Sequence, residues 1–593
     1  MVSLINQKTA QQDEDSQRER SSSSDQPRAT TELEEPEDEV NAATFGQLRI
    51  NNSGTNAETK YVGAGHWSTI LKEIEEVKDS LEGEDGDPLA DEDDDESEHA
   101  NLSWNTFADR STVTMGMPDR MTKAELLRAI PQKDYVDRLL PLFFNSVDPI
   151  VYVIHGPTFQ DEYKRFWRDP SKTPVMWIGL LYSAMALGIA LGSRNPAINP
   201  HSPNIHHVDR SPFNDSDNMM QSIFRYQKLA ASAIALGDID NCLPYTLEAL
   251  MVYTRCEFLG NENYQSKIWL AHGVLTRVGL RMGYHRDPSH HKGMSPFQGE
   301  MRRRVWHMLN MMDTLISFAI GLPNGIRHIE HDVRLPLNIF DTDFSVNSEE
   351  LPKPRPFTEL TPSTYVICKI RLCGVFGEAA ELYQKVLPPK HTAILALDKK
   401  LEEAHDLVPL GLRVRPLEES ITDTPMIVMS RFTLELLYQK SRVVLHRNYL
   451  RAGQSDPRFQ KSREICVDAS MEILRLQSVI FNACQPGGRL NQVWWYMATL
   501  TTYDFLLAAM VLCLELAHLH AQSREAGAIE SPHFHPMLSL LETTYEIWER
   551  QTNKFQESIR GAGIIKAVVK RFAGPPGSGT QSHDSGNSTF GIG

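Results

Sequence analysis

The chain has 593 residues, of which 41% are hydrophobic and 23% are charged, and its formal net charge is −17 at pH 7. Residues 1–100 hold 27 acidic and 8 basic side chains, a net charge of −19, so the remaining residues together carry about +2. This composition is that of a globular protein with disordered attachments. The nearly neutral body lacks the basic patch that a nucleic-acid-binding surface requires.

The first 80 residues divide into two segments. Residues 1–45 are polar, Ser-rich and acidic, and we predict that they are disordered. Residues 46–80 are predicted to form a short docking element. In it an extended segment at Leu48 and Ile50 precedes an amphipathic helix over residues 70–77.

Acidic residues dominate the next segment, which we interpret as an acidic linker over residues 81–129. The acidic runs at 20–45 and 82–100 are typical of solvated linkers, and interaction segments are the alternative. Residues 130–572 are predicted to form one large helical domain, and the Gly/Ser-rich residues 573–593 to form a flexible tail.

Apolar residues in the helical domain recur with the period of an α-helix. The predicted helices lie around residues 175–192, 219–236, 243–259, 264–283, 296–320, 361–387, 391–407, 424–449, 461–483, 490–520 and 535–558. No alternation of strands with helices appears. The predicted fold class is therefore all-α, with pairs of helices stacked around long apolar faces.

One stretch is long and apolar enough to cross a membrane. Residues 173–193 run without a charged side chain, and we found no second span of this kind. The alternative is a helix that is apolar on every side because it is buried in a large helical domain. The missing basic flank favours the buried helix.

A cluster of charged residues lies between two predicted helices at residues 282–306, "MGYHRDPSHHKGMSPFQGEMRRRVW". Gly283 is placed to end the first helix in a left-handed cap, and Pro288 prevents its continuation. Ser295, Pro296 and Gln298 form the sequence pattern of a capping box at the start of the second helix. The pattern predicts a helix–loop–helix clasp.

Arg302, Trp306 and Asp313 fall four and seven residues apart and should share one stripe of the second helix. A buried or half-buried Arg–Asp arrangement beside a Trp needs partners, and the turn at residues 285–288 is placed to supply them. The alternative is a catalytic site around His285, Arg286 and Asp287. The clasp is favoured because the charged groups lie beside helix caps and stripes rather than in an identifiable pocket.

Three segments of this region together resemble a known family: "WLAHGVLTRVGLRMGYHRDP", "EMRRRVWHMLNMMDTLISFAIGLPNGI" and "DVRLPLNIFDTDF". They are similar to the fungal-specific transcription factor domain, the middle homology region of fungal zinc-cluster regulators. "HGPTF", "LLYQKSRVVLHRNYL" and "YVGAGHW" resemble further parts of that family, so the match spans roughly residues 46–485. The matching residues that we assign to a structural and regulatory clasp are Trp269, Gly283, His285, Arg286, Asp287, Arg302, Arg303, Arg304, Trp306 and Asp313.

The resemblance implies a nuclear regulator of RNA polymerase II transcription rather than an enzyme or a membrane protein. Control of a secondary-metabolite gene cluster is a common role in the family. The resemblance also implies contacts with the transcription machinery or co-regulators, and a homodimer.

One family feature is missing from the sequence. Such regulators usually carry six cysteines near the N-terminus that bind two zinc ions, beginning with C-x2-C. Here the first cysteine is Cys242, the seven cysteines are scattered, and none of them forms a C-x2-C pair. We therefore identify no zinc ligand, no other cofactor and no DNA-binding residue.

The missing cluster leaves two interpretations open. If the gene sequence begins too late, the complete protein binds promoter DNA directly through a zinc cluster. If it does not, the protein reaches DNA through a DNA-binding partner.

Overall fold

α-Helices are the dominant secondary structure of the described residues, which confirms the all-α prediction. The computed structural model describes residues 47–53, 56–62, 120–146, 148–193, 216–260, 265–382, 384–385, 389–491, 493, 501–526, 532–550 and 556–572. The helices are α1 Lys123–Arg128, α2 Lys133–Phe144, α3 Gly156–Arg168, α4 Val175–Ser193, α5 Ser216–Gly237, α6 Thr246–Gly260, α7 Gln265–Arg281, α8 Pro296–Ala319, α9 Pro362–Leu382, α10 His391–Asp406, α11 Pro425–His446, α12 Ala452–Ser455, α13 Gln460–Ala483, α14 Thr501–Ala526, α15 Phe534–Arg550 and α16 Gln556–Phe572.

Two short strands precede the helices. β1 (Gln47–Ser53) and β2 (Asn56–Val62) pair antiparallel, with Gln47 opposite Val62. The predicted extended segment at Leu48 and Ile50 lies in β1, and the second strand was not predicted. The predictions for residues 1–45, 70–77 and 573–593 lie outside the described residues.

The helical body begins at α1, inside the segment that we predicted to be an acidic linker up to residue 129. Thr122 and Glu125 form a capping box at the start of α1. Leu126 is fully buried, and its carbonyl accepts a hydrogen bond from the Tyr182 hydroxyl at 2.7 Å. The sequence missed this helix because six residues carry too few periodic positions to reveal one. The remaining division into segments stays a prediction.

α4 lies at the centre of the first half of the helical body, packed against α2, α5 and α6. Of the apolar stretch Val175–Gly192, 94% is buried inside the fold, as expected for an apolar core helix. A second helix, at Thr502–His520, also has the length and composition to cross a membrane and is 72% buried. This second helix carries two charged side chains, Asp504 and Glu515, so it differs from the charge-free span that we identified in the sequence.

α11 and α13 lie at the centre of the second half, where they pack on each other. α9 and α10 pack on α11, and α14 and α15 pack on α13. α8 joins the two halves, because it packs against both α7 and α9. The buried apolar side chains form one continuous cluster, so the helices share a single core.

Two predicted helix boundaries differ from the structure. The helix predicted over 535–558 is two helices, α15 and α16, and the helix predicted from residue 490 begins at Thr501. Residues 551–555 read QTNKF and contain neither Gly nor Pro, so the sequence carries no signal that separates α15 from α16.

Candidate functional site

The clasp begins where α7 ends. Gly283 has a φ of +73°, a left-handed conformation that glycine adopts without steric cost. Its N–H donates to the Leu280 carbonyl at 3.0 Å, and the Tyr284 N–H donates to the Gly279 carbonyl at 2.9 Å. This pair of bonds is a Schellman motif and confirms the predicted cap.

α8 begins with the predicted capping box. The Ser295 hydroxyl accepts from the Gln298 N–H, the Gln298 side chain accepts from the Ser295 N–H, and Pro296 occupies the first turn. Two caps therefore fix the directions in which the chain leaves α7 and enters α8.

The buried carboxylate of Asp287 anchors the loop between α7 and α8 through hydrogen bonds. Its carboxylate accepts two hydrogen bonds from Arg303 of α8, at 2.9 and 3.0 Å. It also accepts from the backbone N–H groups of Ser289, at 3.1 Å, and Arg334, at 3.0 Å. Burial would raise the pKa of Asp287, but these hydrogen bonds, led by Arg303, hold it well below its usual range.

Asp332 extends this contact from the segment that follows α8. Its carboxylate accepts from the Asp287 N–H at 2.9 Å and pairs with His290. The loop after α7 is therefore attached to α8 and also to residues 332–334. The network can position backbone, and the four donors on Asp287 occupy the oxygens that a general base would need.

Arg304 is the centre of a second buried network. Its side chain is fully buried, donates to the Asp341 carboxylate at 2.7 Å, and stacks on the Tyr152 ring at 4.4 Å. Its Nε lies 3.6 Å from Glu300, whose pKa is raised by burial. A buried guanidinium needs such anionic partners, and here they come from both sides.

Asp341 connects this network to α3. Its side chain accepts from the Gly156 N–H at 3.1 Å, and its carbonyl lies 2.8 Å from His155 Nε2. His155 Nδ1 accepts from the Thr158 N–H, so Nε2 carries the proton and donates to Asp341. The segments at 155–159, 300–306 and 341–343, which separately resembled the family, thus meet at one place.

Asp313 fixes the loop that leaves α8. Its carboxylate accepts from the N–H groups of Gly325, at 2.9 Å, and Ile326, at 3.2 Å. Burial raises the pKa of Asp313 to about 6. Trp269 of α7 reaches the same loop and donates to the Pro323 carbonyl at 3.0 Å.

The predicted Arg–Asp arrangement is wrong in its pairing. Arg302 donates to the Met282 carbonyl at 2.8 Å and stacks on the Tyr284 ring at 4.3 Å, while Asp313 binds the loop described above. The arginine that pairs with the turn is Arg303. Three consecutive arginines point in three directions around a helix, and periodicity does not say which of them meets a given loop.

The three residues of the alternative catalytic site lie in different environments. Asp287 is buried against Arg303, Arg286 is exposed, and the half-buried His285 ring lies 6.3 Å from the Trp306 ring. Trp306 is fully buried and also contacts the His331 ring at 5.5 Å. The ten residues of the predicted clasp surround the α7–α8 connection and its continuation, without converging on one point.

Sequence reasoning missed a buried group with the composition of a catalytic triad. His446 Nδ1 lies 3.0 Å from the Ser462 hydroxyl, and His446 Nε2 lies 3.4 Å from Asp398. Both His446 and Ser462 have 0% exposure, so no substrate reaches the hydroxyl. The group joins α10, α11 and α13, and no local spacing in the sequence reveals it.

The cysteines do not fit a two-zinc cluster. Among the described residues no group of three or more His, Cys, Asp or Glu side chains is arranged to hold a metal ion. Six of the seven cysteines are buried, and burial raises the thiol pKa to about 11 for Cys368 and Cys373, and to about 12 for Cys466, Cys484 and Cys513. Zinc binds thiolates, which these surroundings disfavour.

Residues 140–403 match the family model described as "Fungal specific transcription factor domain". This match contains α7, the clasp and α8. No solved structure matches the chain significantly.

Curated relatives match over most of the chain. The Zn(2)-C6 fungal-type transcription factor mpsB of Macrophomina phaseolina is 32% identical over 91% of this chain and 70% of its own length. The Zn(2)-C6 fungal-type transcription factor pigI of Monascus ruber is 33% identical over 89% of this chain and 62% of its own length. The equisetin cluster transcription factor eqxF of Fusarium heterosporum is 31% identical over 90% of this chain and 74% of its own length.

Proposed function

The chain belongs to the family of fungal transcription factors that carry the fungal-specific transcription factor domain, and from this we propose that it controls a secondary-metabolite gene cluster. The observation that carries the proposal is 32% identity to a fungal transcription factor along 91% of the chain. Further relatives are named cluster transcription factors for equisetin and fusarisetin A.

The protein acts in the nucleus and is not an enzyme. Two observations support the second statement. The acid at the centre of the clasp, Asp287, is occupied by four hydrogen-bond donors, and the Asp398–His446–Ser462 group is sealed from solvent. Both groups are suited to hold helices together, and neither offers a free nucleophile or base.

The clasp serves the regulatory function as a rigid connection. Arg303 and Arg304 attach α8 to Asp287 in the turn after α7 and to Asp341, and Asp287 also accepts a hydrogen bond from the Arg334 N–H. α8 is therefore bound, directly or through Asp287, to segments that are far apart in sequence. We place the regulatory role of the ten clasp residues in this mechanical connection.

DNA binding comes either from a segment outside this sequence or from a partner protein. This chain spans 70% and 62% of the lengths of the two relatives named Zn(2)-C6 factors, so part of each relative lies outside the match. The seven cysteines of this chain are scattered and none forms a C-x2-C pair, which supports this proposal. Contacts with co-regulators or the transcription machinery, and a homodimer, belong to the same proposal.

The origin of DNA binding is tested by mapping the 5′ end of the transcript and reading the genomic frame upstream of Met1. A joined exon that encodes six cysteines beginning with C-x2-C would show that the complete protein reads DNA itself. A transcript that begins just before Met1 would assign the reading of DNA to a partner. Immunoprecipitation of the tagged protein would then identify that partner.

The proposed function is tested by fusing a fluorescent protein to the chromosomal gene and by crosslinking the fusion to chromatin. We expect nuclear fluorescence and enrichment of promoters within one gene cluster. A fusion that stays in the cytosol and enriches no promoter under cluster-inducing conditions would refute the proposal.

A further inference from the structure

A cavity lies where six helices meet, away from the clasp loop. It has a volume of about 100 Å³ and is lined by α6, α7, α8, α9, α11 and α14, together with the turn at residues 148–150. Most of its wall is apolar, formed by Ile, Leu, Met and Phe side chains. Its volume accommodates several water-sized groups and is smaller than the pockets that take drug-sized ligands.

The charges in the cavity wall do not balance. Arg255 pairs with Asp148 at 2.6 Å, and Lys440 pairs with Asp504 at 2.7 Å. These pairs engage both carboxylates of the wall. Lys369, which is 8% exposed, is the fifth charged group, and its ammonium donates to the Tyr365 hydroxyl at 3.3 Å. Lys369 also stabilises the Asp504 carboxylate electrostatically, so three cations share two carboxylates. The wall therefore carries one positive charge in excess, and excess charge is unfavourable in a buried place.

A buried imidazole in the same wall has open hydrogen-bonding capacity. His272 is 0% exposed, and neither of its ring nitrogens has a hydrogen-bond partner among the described residues. Burial lowers the pKa of His272 to about 4, so the ring is neutral at physiological pH and offers one donor and one acceptor. Buried polar groups in native proteins are rarely left in this state.

We propose that the cavity binds a small carboxylic acid with an apolar body, whose carboxylate pairs with Lys369 and whose polar substituent or second oxygen meets His272. The excess positive charge selects an anion, the single excess charge selects a monocarboxylate, and the apolar wall selects a hydrocarbon body. The volume excludes long acyl chains. The inference concerns binding and goes beyond the proposed function, since it holds whether or not the protein controls a gene cluster.

Isothermal titration of the full-length protein with butanoate, hexanoate and octanoate tests the proposal. Hexanol and hexylamine serve as probes of similar length without the negative charge. We expect at least one of the three acids to bind at a single site, and we expect weaker binding of the alcohol and no binding of the amine. The absence of binding by all three acids, or equal binding of hexanol and hexanoate, would overturn the proposal and leave a cavity that holds water.

The variant Lys369→Met separates the bound anion from a general effect on folding. It removes the charge and keeps a side chain of similar length. We expect it to raise the melting temperature of the ligand-free protein, because a buried excess charge is lost, and to lower the affinity for the acid at least about tenfold. Lys400→Met is the matched control, since Lys400 pairs with Glu378 at the surface with 52% of its side chain exposed.

His272→Leu provides a second, independent variant. It replaces the unpartnered imidazole with an apolar group, so we expect a stable fold and a loss of affinity. The proposal would be overturned if Lys369→Met bound the acid with unchanged affinity. If the lysine variant does not fold, unchanged affinity of His272→Leu would overturn it instead. Because these measurements use purified protein, their failure leaves the regulator proposal intact, and a cytosolic fusion would leave the binding result intact.

Discussion

At the scale of single residues, the clasp contains two buried carboxyl groups whose pKa values are shifted in opposite directions. Asp287 is surrounded by donors that stabilise its charged form. Asp313 is buried, and its carboxylate accepts hydrogen bonds from the backbone N–H groups of Gly325 and Ile326. The pKa of Asp287 is therefore lowered and that of Asp313 is raised to about 6. The two residues should respond differently to mutation and to pH.

Replacing Asp287 with asparagine should destabilise the fold strongly. The change leaves the guanidinium of Arg303, whose side chain is 12% exposed, without its hydrogen-bonded carboxylate and with Glu300 at 3.8 Å as its remaining anionic partner. Breaking a buried ion pair from one side costs about 3–5 kcal/mol. Urea unfolding measures this loss. Asp240→Asn is the control, because its pair with Arg281 has side-chain exposures of 84% and 62%. A similar midpoint for both variants would contradict the role of Asp287.

Asp287 and Asp313 should make the free energy of unfolding depend on pH in opposite directions. Asp287 has a lowered pKa in the folded state, so its contribution is present at neutral pH and is lost as the pH falls below about 4, the ordinary range of an aspartate. Asp313 has a raised pKa, so the folded state binds its proton more tightly and stability decreases as the pH rises from about 4 to about 6. Asp313→Asn should remove this decrease and gain about 1–3 kcal/mol at pH 7. Unfolding curves of the variant and the parent at several pH values measure the effect, and parallel pH profiles would contradict it.

At the scale of helices, the sequence predicted the features that depend on neighbouring residues. The caps of α7 and α8 at Gly283 and Ser295 follow from local chemistry, and the structure confirms both. The pairing of Arg303 with Asp287 was missed because it depends on how the loop folds back. The contacts of Arg304 with Asp341 and the six-helix cavity join residues distant in sequence, which periodicity in one chain does not reveal.

Two glycines provide a matched test of the α7 cap. A Cβ atom added at Gly283 or at Gly293 would meet no atom within 4 Å, but only Gly283 of the two has a positive φ, at +73°. Gly283→Ala should therefore cost about 1–2 kcal/mol through backbone strain alone, while Gly293→Ala should leave the unfolding midpoint nearly unchanged. Thermal unfolding of the two variants measures the difference. Equal stability would show that the Schellman cap does not constrain the clasp.

At the scale of the whole molecule, two helices are apolar enough to resemble membrane spans because they are buried in the core. α4 and the segment Thr502–His520 of α14 are 94% and 72% buried by neighbouring helices over their apolar windows. We expect the full-length protein to remain in the supernatant after ultracentrifugation in detergent-free buffer. Recovery of the protein only in the membrane pellet, and its release only by detergent, would contradict a core role for these helices.

The functional assignment also concerns the whole molecule, because it rests on similarity along most of the chain rather than on one reactive group. Sequence motifs identified the family, and the structure explained how three of those motifs meet around Arg304 and Asp341. The target genes depend on DNA recognition, for which we identified no residue in this sequence. Regulation must therefore be measured in the cell.

The most direct measurement is transcript sequencing after deletion of the gene, under conditions in which secondary metabolites are produced. We expect the transcripts of one contiguous biosynthetic cluster to change together, and expect reintroduction of the gene to restore them. An unchanged transcriptome in the deletion strain would contradict the claim that this protein is the regulator of such a cluster.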